Sequence, residues 1–247
     1  MGSALIRGLS RTGEHHVTGY DLDASALESV APFCQRTTSD VDDVADSDVV
    51  VLTVKPAVIE DVLQAIDLTP SQTLVTAAAG VPTEFVAERT DATVVRVMPN
   101  LAAETGDMAA AVTWDEPDED VRSILSDLGE FVEIDESLMD ISTAVNGSGP
   151  AFAFYLIDAV KRAGVDGGLD PEQAETLAAQ TFKGAAETVL RDDRSVDELI
   201  DAVCSPNGTT IEGMEVLWDS DADEAVIDAV AAAEERSREL AEAFDDE

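Results

Sequence analysis

A short loop of small and hydroxyl-bearing residues stands directly before a helical segment late in the chain. The loop is Ser205–Thr210 (SPNGTT), and apolar residues recur at helical spacing over Thr210–Trp218. Loop N–H groups and a helix N-terminus together form an anion site that suits a carboxylate. Gly208 permits close approach to a small molecule, and the hydroxyl of Thr210 is a candidate donor. The alternative is that Thr210 only caps its helix.

Three other segments of polar or small residues each follow an apolar strand candidate. They are Thr53–Pro56, Ala77–Ala79 and Met98–Asn100. In an open α/β sheet a dinucleotide lies across the carboxyl ends of the strands, so we expect these segments to line one cofactor site. The three alanines let the backbone approach a flat ring. Lys55 would attract a cofactor phosphate, its alternative role being that of a surface charge.

The chain opens on Met1-Gly2 and a helical segment, Ser3–Leu9. A dinucleotide-binding domain normally begins with a strand and a Gly-x-Gly-x-x-Gly turn before such a helix, which makes Gly2 the last glycine of that turn. We therefore expect a gap in the middle of the sheet. An upstream extension that carries the first strand and the earlier glycines is the preferred hypothesis, and the upstream codons would test it.

Asp21 ends the next strand candidate, His16–Tyr20. An acid at this place holds the adenosine ribose in dinucleotide-binding domains. Its alternative role is that of a helix N-cap or turn residue, which needs no ligand. A carboxylate accepts a hydrogen bond from a free 2′-hydroxyl and repels a 2′-phosphate, and no arginine occurs in Tyr20–Ser25. We predict that NADH serves at least as well as NADPH.

Hydrophobic periodicity divides the chain into an alternating half and a helical half. The strand candidates are His16–Tyr20, Asp48–Val54, Thr73–Ala77, Thr93–Met98, Ala109–Trp114 and Phe131–Ile134. The helical candidates between them are Ala24–Val30, Val58–Ile66 and Thr83–Glu88. The later helical candidates are Leu138–Val145, Ala151–Ala163, Pro171–Leu190, Val196–Val203, Thr210–Trp218 and Ala222–Phe244. The predicted fold class is α/β: a Rossmann-type doubly wound parallel sheet lacking its first strand over residues 1–136, then an all-helical domain over residues 137–247.

Acidic residues dominate the composition, with 53 Asp and Glu against 14 Lys and Arg and a formal net charge of -39. Such a charge disfavours nucleic-acid binding. The acids are spread through segments with regular apolar patterns, so we interpret them as an adaptation to molar salt and not as an acidic tail. No apolar stretch suits a membrane span or a signal peptide, and two cysteines give neither a disulfide framework nor a metal site. We expect a cytoplasmic protein without a metal.

Four groups of motifs, in order, resemble the signature segments of the pyrroline-5-carboxylate reductases. They are Thr53–Pro56 (TVKP) with Ala77–Val81 (AAAGV), Arg96–Asn100 (RVMPN), Asn146–Phe152 (NGSGPAF) and Val203–Gly213 (VCSPNGTTIEG). The similarity covers essentially the whole chain. It implies reduction of the cyclic imine of pyrroline-5-carboxylate to L-proline, the last step of proline biosynthesis, by hydride from NAD(P)H.

The resemblance also implies roles for individual residues and a homodimer or larger homo-oligomer with interlocked helical domains. Asp21 and Asp40 fall near the adenosine end, where relatives often have Ser or Asn. Glu136 matches a substrate-pocket position, its alternative role being that of a solvated acid at a helix start. The expected cofactor-binding residues are Met1, Gly2, Asp21, Asp40, Thr53, Val54, Lys55, Pro56, Ala77, Ala78, Ala79 and Asn100. The expected substrate-binding residues are Glu136, Ser205, Gly208, Thr209 and Thr210, with Thr210 as the catalytic donor to the ring nitrogen.

Two alternatives stay open from the sequence. Another reductase with a Rossmann domain and a helical domain would usually carry a catalytic lysine in the helical half, for which Lys161 and Lys183 are candidates by type only. A catalytically impaired protein that binds nucleotides or dimerises would be left if the phosphate loop is absent.

Overall fold

The computed structural model describes residues 1–245, which form two compact units. Unit 1 comprises Met1–Gly149 together with the chain from Val230 onwards, and unit 2 comprises Pro150–Ala229. The predicted domain boundary lies after residue 136, whereas the compact units divide after Gly149 and again before Val230. The α/β class, with a Rossmann-like sheet followed by a helical part, is confirmed.

Unit 1 is built on short strands that pair mostly in parallel. The strands are β1 Thr18–Tyr20, β2 Arg36–Thr38, β3 Val49–Leu52, β4 Thr73–Thr76, β5 Thr93–Pro99, β6 Met108–Thr113 and β7 Gly129–Glu133. β1 pairs in parallel with β2, and β3 to β7 form a second sheet in chain order. The pairing of β5 with β6 is antiparallel, which differs from the all-parallel sheet that the apolar runs predict.

Helices cover this sheet and leave its central strands inaccessible to water. They are α1 Gly2–Leu9, α2 Ala24–Val30, α3 Ile59–Ala65, α4 Thr83–Ala87 and α5 Glu119–Leu128. All four residues of β4 are buried, as are Val95 and Val97 of β5. Burial on both faces explains why these strands read as continuous apolar runs.

The two sheets of unit 1 are separate, and a cavity of about 870 Å³ lies between them. Residues Thr18–Tyr20 of β1 and Val49–Leu52 of β3 line its opposite sides. Alternate backbone groups of a parallel strand point to each side, so both strands direct unpaired groups towards the cavity. The predicted gap in the middle of the sheet is confirmed.

Every strand predicted from the sequence is found, with ends that differ by a few residues. β2 was not predicted, because Arg36-Thr37-Thr38 contains no apolar residue. α5 was also missed, although its buried residues Val121, Leu125 and Leu128 recur at helical spacing.

Unit 2 is helical throughout. Its helices are α7 Gly149–Asp166, α8 Pro171–Arg191, α9 Val196–Val203, α10 Thr209–Trp218 and the first part of α11 Ala222–Asp245. Asp170 caps α8 as predicted, and its side chain accepts a hydrogen bond from Glu172 N–H. Ser195 and Glu198 form a capping box at the start of α9. None of the helices in the described range 1–245 is long and apolar enough to cross a membrane.

The chain between the sheet and α7 changes its helical winding twice. A 3₁₀ turn, Glu136–Leu138, leads into α6 Met139–Ser142 and then into a π turn, Thr143–Gly147. The sequence predicted one regular helix over Leu138–Val145. A π turn inserts one residue into the helix and re-aims the side chains on either side of it, often at a functional site.

The last part of α11 packs within unit 1. The ring of Phe244 meets that of Phe85 on α4 edge to face, with centroids 5.0 Å apart. Ser237 is 3% exposed, and its hydroxyl donates to Asp140 Oδ1 at 2.6 Å. A helix that is distant in sequence therefore contributes to the packing of the first unit.

Candidate functional site

The cavity of unit 1 brings together half of the expected cofactor-binding residues. Those that line it are Met1, Gly2, Asp21, Thr53, Val54 and Ala77. The other expected residues do not line it: Asp40, Lys55, Pro56, Ala78, Ala79 and Asn100. These six residues lie at the start of α1 and at the carboxyl ends of β1, β3 and β4, where a dinucleotide binds in open α/β sheets.

Gly2 lets the start of α1 approach the end of β3. A Cβ atom on Gly2 would stand 2.7 Å from Thr53 Oγ1, which is closer than real Cβ contacts. α1 also begins without a side-chain cap, so its first N–H groups keep their capacity to donate. A helix N-terminus of this kind fits a phosphate group, and the residues present therefore fit one part of a dinucleotide.

Ala77–Ala79 leaves the sheet where β4 ends. Ala77 N–H donates to Leu52 O at 2.9 Å and continues the pairing of β3 with β4 by one residue. Ala78 is 2% exposed, whereas Ala77 and Ala79 are partly exposed. Lys55 is exposed and precedes the 3₁₀ turn Pro56–Val58. The side chains at this strand end are small, and the role expected for them at the cofactor stays a prediction.

Asp21 closes a tight turn after β1. Its Oδ1 accepts a hydrogen bond from Asp23 N–H at 2.9 Å, and its own N–H donates to Thr38 O at 3.3 Å. The N-cap of α2 is Asp23, so the turn interpretation of Asp21 is confirmed and the N-cap interpretation is wrong. In the described part of the chain no hydrogen bond uses Asp21 Oδ2, which leaves this oxygen for a ligand.

Asp40 follows the adjacent strand, β2. Its Oδ1 accepts a hydrogen bond from Asp42 N–H at 3.2 Å and caps the 3₁₀ turn Val41–Asp43. β1 and β2 are neighbours, so the carboxylates of Asp21 and Asp40 follow adjacent strand ends.

A cluster of Arg36, Thr38 and Asp43 accompanies these acids and was missed by the sequence analysis. Thr38 Oγ1 donates to Asp43 Oδ2 at 2.6 Å, and the guanidinium of Arg36 pairs with the same oxygen. The hydrogen bond from Thr38 and the contact with Arg36 hold the pKa of Asp43 below its usual value. The period of two along a strand, which places Arg36 and Thr38 on one face, would have indicated it had β2 been recognised.

Asn100 is buried, and both ends of its amide are committed within unit 1. Its Oδ1 accepts from Ala102 N–H at 3.1 Å, and its Nδ2 donates to Asn146 O at 3.2 Å. Asn146 lies in the π turn and donates through Nδ2 to Met98 O at 2.7 Å and to Ala109 O at 3.0 Å. Asn146 thereby joins the end of β5 to the region where β6 begins. The sequence analysis named Asn146 only as part of a motif.

Glu136 is held by three donors that converge on one carboxylate oxygen. Oε1 accepts from Thr83 N–H at 2.7 Å, Thr83 Oγ1 at 2.8 Å and Arg96 Nη1 at 2.8 Å. Partial burial raises the pKa of Glu136, but the bonds from Thr83 and Arg96 outweigh it and lower the pKa below its usual value. Arg96 is 5% exposed and its Nε has no partner among the described residues. The interpretation of Glu136 as a solvated acid at a helix start is therefore wrong, because its carboxylate links β5 to the start of α4.

In unit 2, the expected substrate loop forms a tight turn at the start of α10. Gly208 N–H donates to Ser205 O at 2.9 Å, and Asn207 has a positive φ of 59 degrees. Pro206 and Asn207 therefore occupy the central positions of a type II turn. A Cβ atom on Gly208 would stand 2.9 Å from the backbone oxygen of Ser205, which is closer than real Cβ contacts, so this approach favours glycine.

The N-cap of α10 is Gly208, and no side chain caps the helix. The interpretation of Thr210 as N-cap is therefore wrong. Thr209 and Thr210 are exposed in the first turn. Their hydroxyls and the uncapped N–H groups present donors on one helix end, an arrangement that can bind a carboxylate and a second acceptor. Glu136 belongs to unit 1 and this loop to unit 2.

Comparison with known proteins gives one consistent family. A family model described as pyrroline-5-carboxylate reductase dimerisation matches residues 136–240, and one described as NADP oxidoreductase, coenzyme F420-dependent, matches residues 1–80. A pyrroline-5-carboxylate reductase of Methanosarcina acetivorans is 37% identical over 97% of this chain and 94% of its own length.

Solved structures agree with the sequence comparison. The crystal structure of Plasmodium falciparum pyrroline carboxylate reductase with NADP bound is 28% identical, with a TM-score of 0.86, and the match covers 98% of this chain and 94% of that one. The pyrroline-5-carboxylate reductase of Coxiella burnetii is 29% identical, with a TM-score of 0.83, over 96% of this chain and 93% of that one.

Proposed function

The chain belongs to the pyrroline-5-carboxylate reductase family, and on this basis we infer that it reduces the cyclic imine of pyrroline-5-carboxylate to L-proline. The observation that carries the inference is the 37% identity to a reductase of that name along nearly the full length of both chains. The reaction makes the chain an NAD(P)H-dependent oxidoreductase that acts on a carbon–nitrogen bond. A nicotinamide cofactor, when bound, supplies the hydride that C5 of the imine receives.

We propose that the chain's own groups act by binding and orientation. The N–H groups at the start of α10 hold the substrate carboxylate. The Thr210 hydroxyl donates a hydrogen bond to the ring nitrogen, which is protonated as an iminium and leaves the reaction as an amine. Orientation of a bound substrate replaces a bimolecular encounter and supplies much of the acceleration in such reactions. The exposed position of Thr210 and the absence of a competing cap role support this assignment.

The proposed cofactor site lies where α1 begins and where β1, β3 and β4 end. Gly2 and its close contact with Thr53 support a phosphate position there. Asp21 Oδ2 supports a ribose position, and we propose that NADH serves at least as well as NADPH. The relative from Plasmodium falciparum was crystallised with NADP, so the preference of this chain is a property to measure.

The helices of unit 2 present large apolar side chains that support a homo-oligomer. On α7, Phe154 is 67% and Tyr155 is 71% exposed, and on α10 Trp218 is 57% exposed. Monomeric proteins rarely display so many large apolar side chains, which mark interaction surfaces. We propose a homodimer, or a larger assembly of dimers, formed through these helices.

The acidic composition supports a protein that works in molar salt, and a cytoplasmic location stays a prediction from the sequence. Screening shortens to about 3 Å at 1 M salt, which removes most of the mutual repulsion of the carboxylates.

A coupled assay tests the activity. Purified protein in molar potassium chloride is mixed with pyrroline-5-carboxylate and NADH or NADPH, and oxidation of the cofactor and formation of proline are followed together. We expect both, in equal amounts. Equilibrium titration of NADH runs beside it, because tight binding without turnover would favour the alternative of a catalytically impaired nucleotide-binding protein. If the chain showed no NADH binding and no turnover, the proposed function would be contradicted.

A further inference from the structure

The last turns of α11 present one side of the helix to unit 1. Its members are Ser237, Leu240, Ala241 and Phe244, which recur every three or four residues and therefore lie on the same side. Ser237 is buried and the other three are half-buried, whereas most described residues of α11 are exposed. We call these four residues the α11 face.

The two ends of the α11 face are anchored on different helices of unit 1. At one end the Ser237 hydroxyl donates to Asp140 Oδ1 on α6 at 2.6 Å. At the other end the ring of Phe244 meets that of Phe85 on α4 edge to face, with centroids 5.0 Å apart. The helix is held at both places, so the residues between them are held with it.

Between these anchors, the α11 face lies on the turn that follows β4. Gly80 has a φ of 73 degrees and is the third residue of a type II turn, which Val81 N–H closes on Ala78 O at 3.4 Å. A Cβ atom on Gly80 would stand 2.9 Å from Leu240 Cβ and 3.0 Å from Ala241 N, distances that real Cβ atoms seldom show. Glycine at this position therefore lets the backbone of α11 lie directly against the turn.

This turn continues the segment that is expected to meet the nicotinamide ring. Ala77 lines the cavity of unit 1, and its N–H donates to Leu52 O where β4 ends. Ala78 and Ala79 lead from there into the turn. Methyl side chains make few contacts that could fix a backbone. The position of this segment thus depends on β4 at one end and on whatever packs on the turn at the other.

We propose that the α11 face positions the segment Ala77–Gly80 against the nicotinamide ring of the cofactor. The proposal rests on the cofactor site assigned above and gives the last turns of α11 a role in it. These residues act through the turn and do not themselves touch the cofactor. Loosening the α11 face should therefore reduce what the ring contributes to binding and leave the rest of the dinucleotide bound as before.

The test compares NADH with ADP-ribose, which carries a hydroxyl in place of the nicotinamide ring. Dissociation constants of both are measured by calorimetry in 1 M potassium chloride, for the unmodified chain and for Phe244→Ala. The ratio of the two constants reports the contribution of the ring.

Phe131→Ala is the matched control for Phe244→Ala. The ring of Phe131 packs edge to face on Trp114 with centroids 6.1 Å apart, and neither residue is among the described ones that line the cavity. Urea denaturation of both variants measures the general loss of stability separately from the binding ratio.

In the unmodified chain we expect NADH to bind at least about tenfold more tightly than ADP-ribose. Phe244→Ala should reduce this ratio by about fivefold or more, the lower end of the usual coupling between two sites. Phe244→Leu, which keeps an apolar contact with Phe85, should restore most of it. Phe131→Ala should leave the ratio within about twofold even where it lowers the free energy of unfolding as much.

Equal binding of the two ligands to the unmodified chain, an unchanged ratio in Phe244→Ala, or an equal reduction in Phe131→Ala would each overturn the proposal. If Phe244→Ala does not fold, Ser237→Ala takes its place in the same comparison, because it removes the other anchor by deleting a single oxygen.

The same titrations separate this proposal from the proposed function. Both ligands are measured without substrate, so the ratio is obtained whether or not the chain reduces pyrroline-5-carboxylate. A reduced ratio in Phe244→Ala without turnover by the unmodified chain would contradict the reductase function alone. Turnover with an unchanged ratio would contradict the role of the α11 face alone.

Discussion

At the scale of single residues, the substrate loop shows how side-chain chemistry and backbone geometry depend on each other. Gly208 ends a type II turn in which a Cβ at this position would stand 2.9 Å from the backbone oxygen of Ser205, closer than real Cβ contacts. That turn starts α10 without a capping side chain and leaves Thr209 and Thr210 exposed in its first turn. The hydroxyl of Thr210 is consequently not used as a helix cap, as its proposed role requires.

Replacing Thr210 with Ala should lower kcat by about ten- to a hundredfold, because a hydrogen bond to a charged group is worth about 1.5–3 kcal/mol. The dissociation constant of NADH should change little, since the residue belongs to unit 2 and the proposed cofactor site to unit 1. Steady-state kinetics and an NADH titration give the two quantities. Thr210→Ser, which keeps the hydroxyl, should retain most of the activity. A kcat of Thr210→Ala equal to that of the unmodified chain would remove Thr210 from the mechanism.

At the scale of elements, apolar periodicity and a capping residue predicted most strands and helices, but α5 was missed despite its periodicity and the elements that depend on distant contacts were missed as well. The apolar run Val49–Leu52 identified β3, and Asp170 identified the start of α8. β2 was missed because Arg36-Thr37-Thr38 is polar and is a strand only through its pairing with β1. The π turn Thr143–Gly147 was missed because its winding depends on contacts with residues distant in the sequence.

The cluster around Asp43 was missed for the same reason. Its three members are near each other in sequence, but the strand that aligns Arg36 with Thr38 exists only in the folded sheet. Glu136 was identified by family resemblance, yet its bonds to Thr83 and Arg96 join positions that no local pattern connects. The strand ends themselves were predictable from the sequence, whereas the partners of Asp43 and Glu136 were not.

Asn146 provides the test at this scale. Asn146→Asp replaces the Nδ2 donor with a carboxylate oxygen, so the hydrogen bonds to Met98 O and Ala109 O are lost. The new oxygen also repels these two carbonyl oxygens. We expect the free energy of unfolding to fall by about 2–3 kcal/mol, as measured by urea denaturation in molar salt.

Ser142→Ala is the matched control for Asn146→Asp. It removes only the hydrogen bond from Ser142 Oγ to Asn146 Oδ1 at 3.0 Å and should cost about 1 kcal/mol or less. Similar losses in the two variants would mean that the bonds to the strand carbonyls do not stabilise the π turn.

At the scale of the whole molecule, the net charge of -39 sets the conditions under which the fold is stable. At 0.1 M salt the Debye length is about 10 Å, so neighbouring carboxylates repel one another across the surface. The unfolded chain spreads these charges further apart than the native state. The repulsion therefore destabilises the fold mainly at low salt.

The midpoint of thermal unfolding should rise steeply between 0.1 M and 2 M potassium chloride, which circular dichroism would follow. A parallel series in sucrose at low salt is the control. Sucrose stabilises compact states because it is excluded from the protein surface, but it does not screen charges. An unchanged midpoint across the salt series, or an equal gain in sucrose, would contradict the charge-screening explanation.

The contribution of α11 to unit 1 also constrains how the chain is made. The residues that contact Phe85 and Asp140 come after the entire helical unit in the order of synthesis. A ribosome adds roughly 5–20 residues per second, and amino-terminal domains usually fold as they emerge. Unit 1 must instead wait several seconds, with the face of α4 around Phe85 still uncovered, until the last helix is translated. During this interval that face is open to solvent and to other nascent chains.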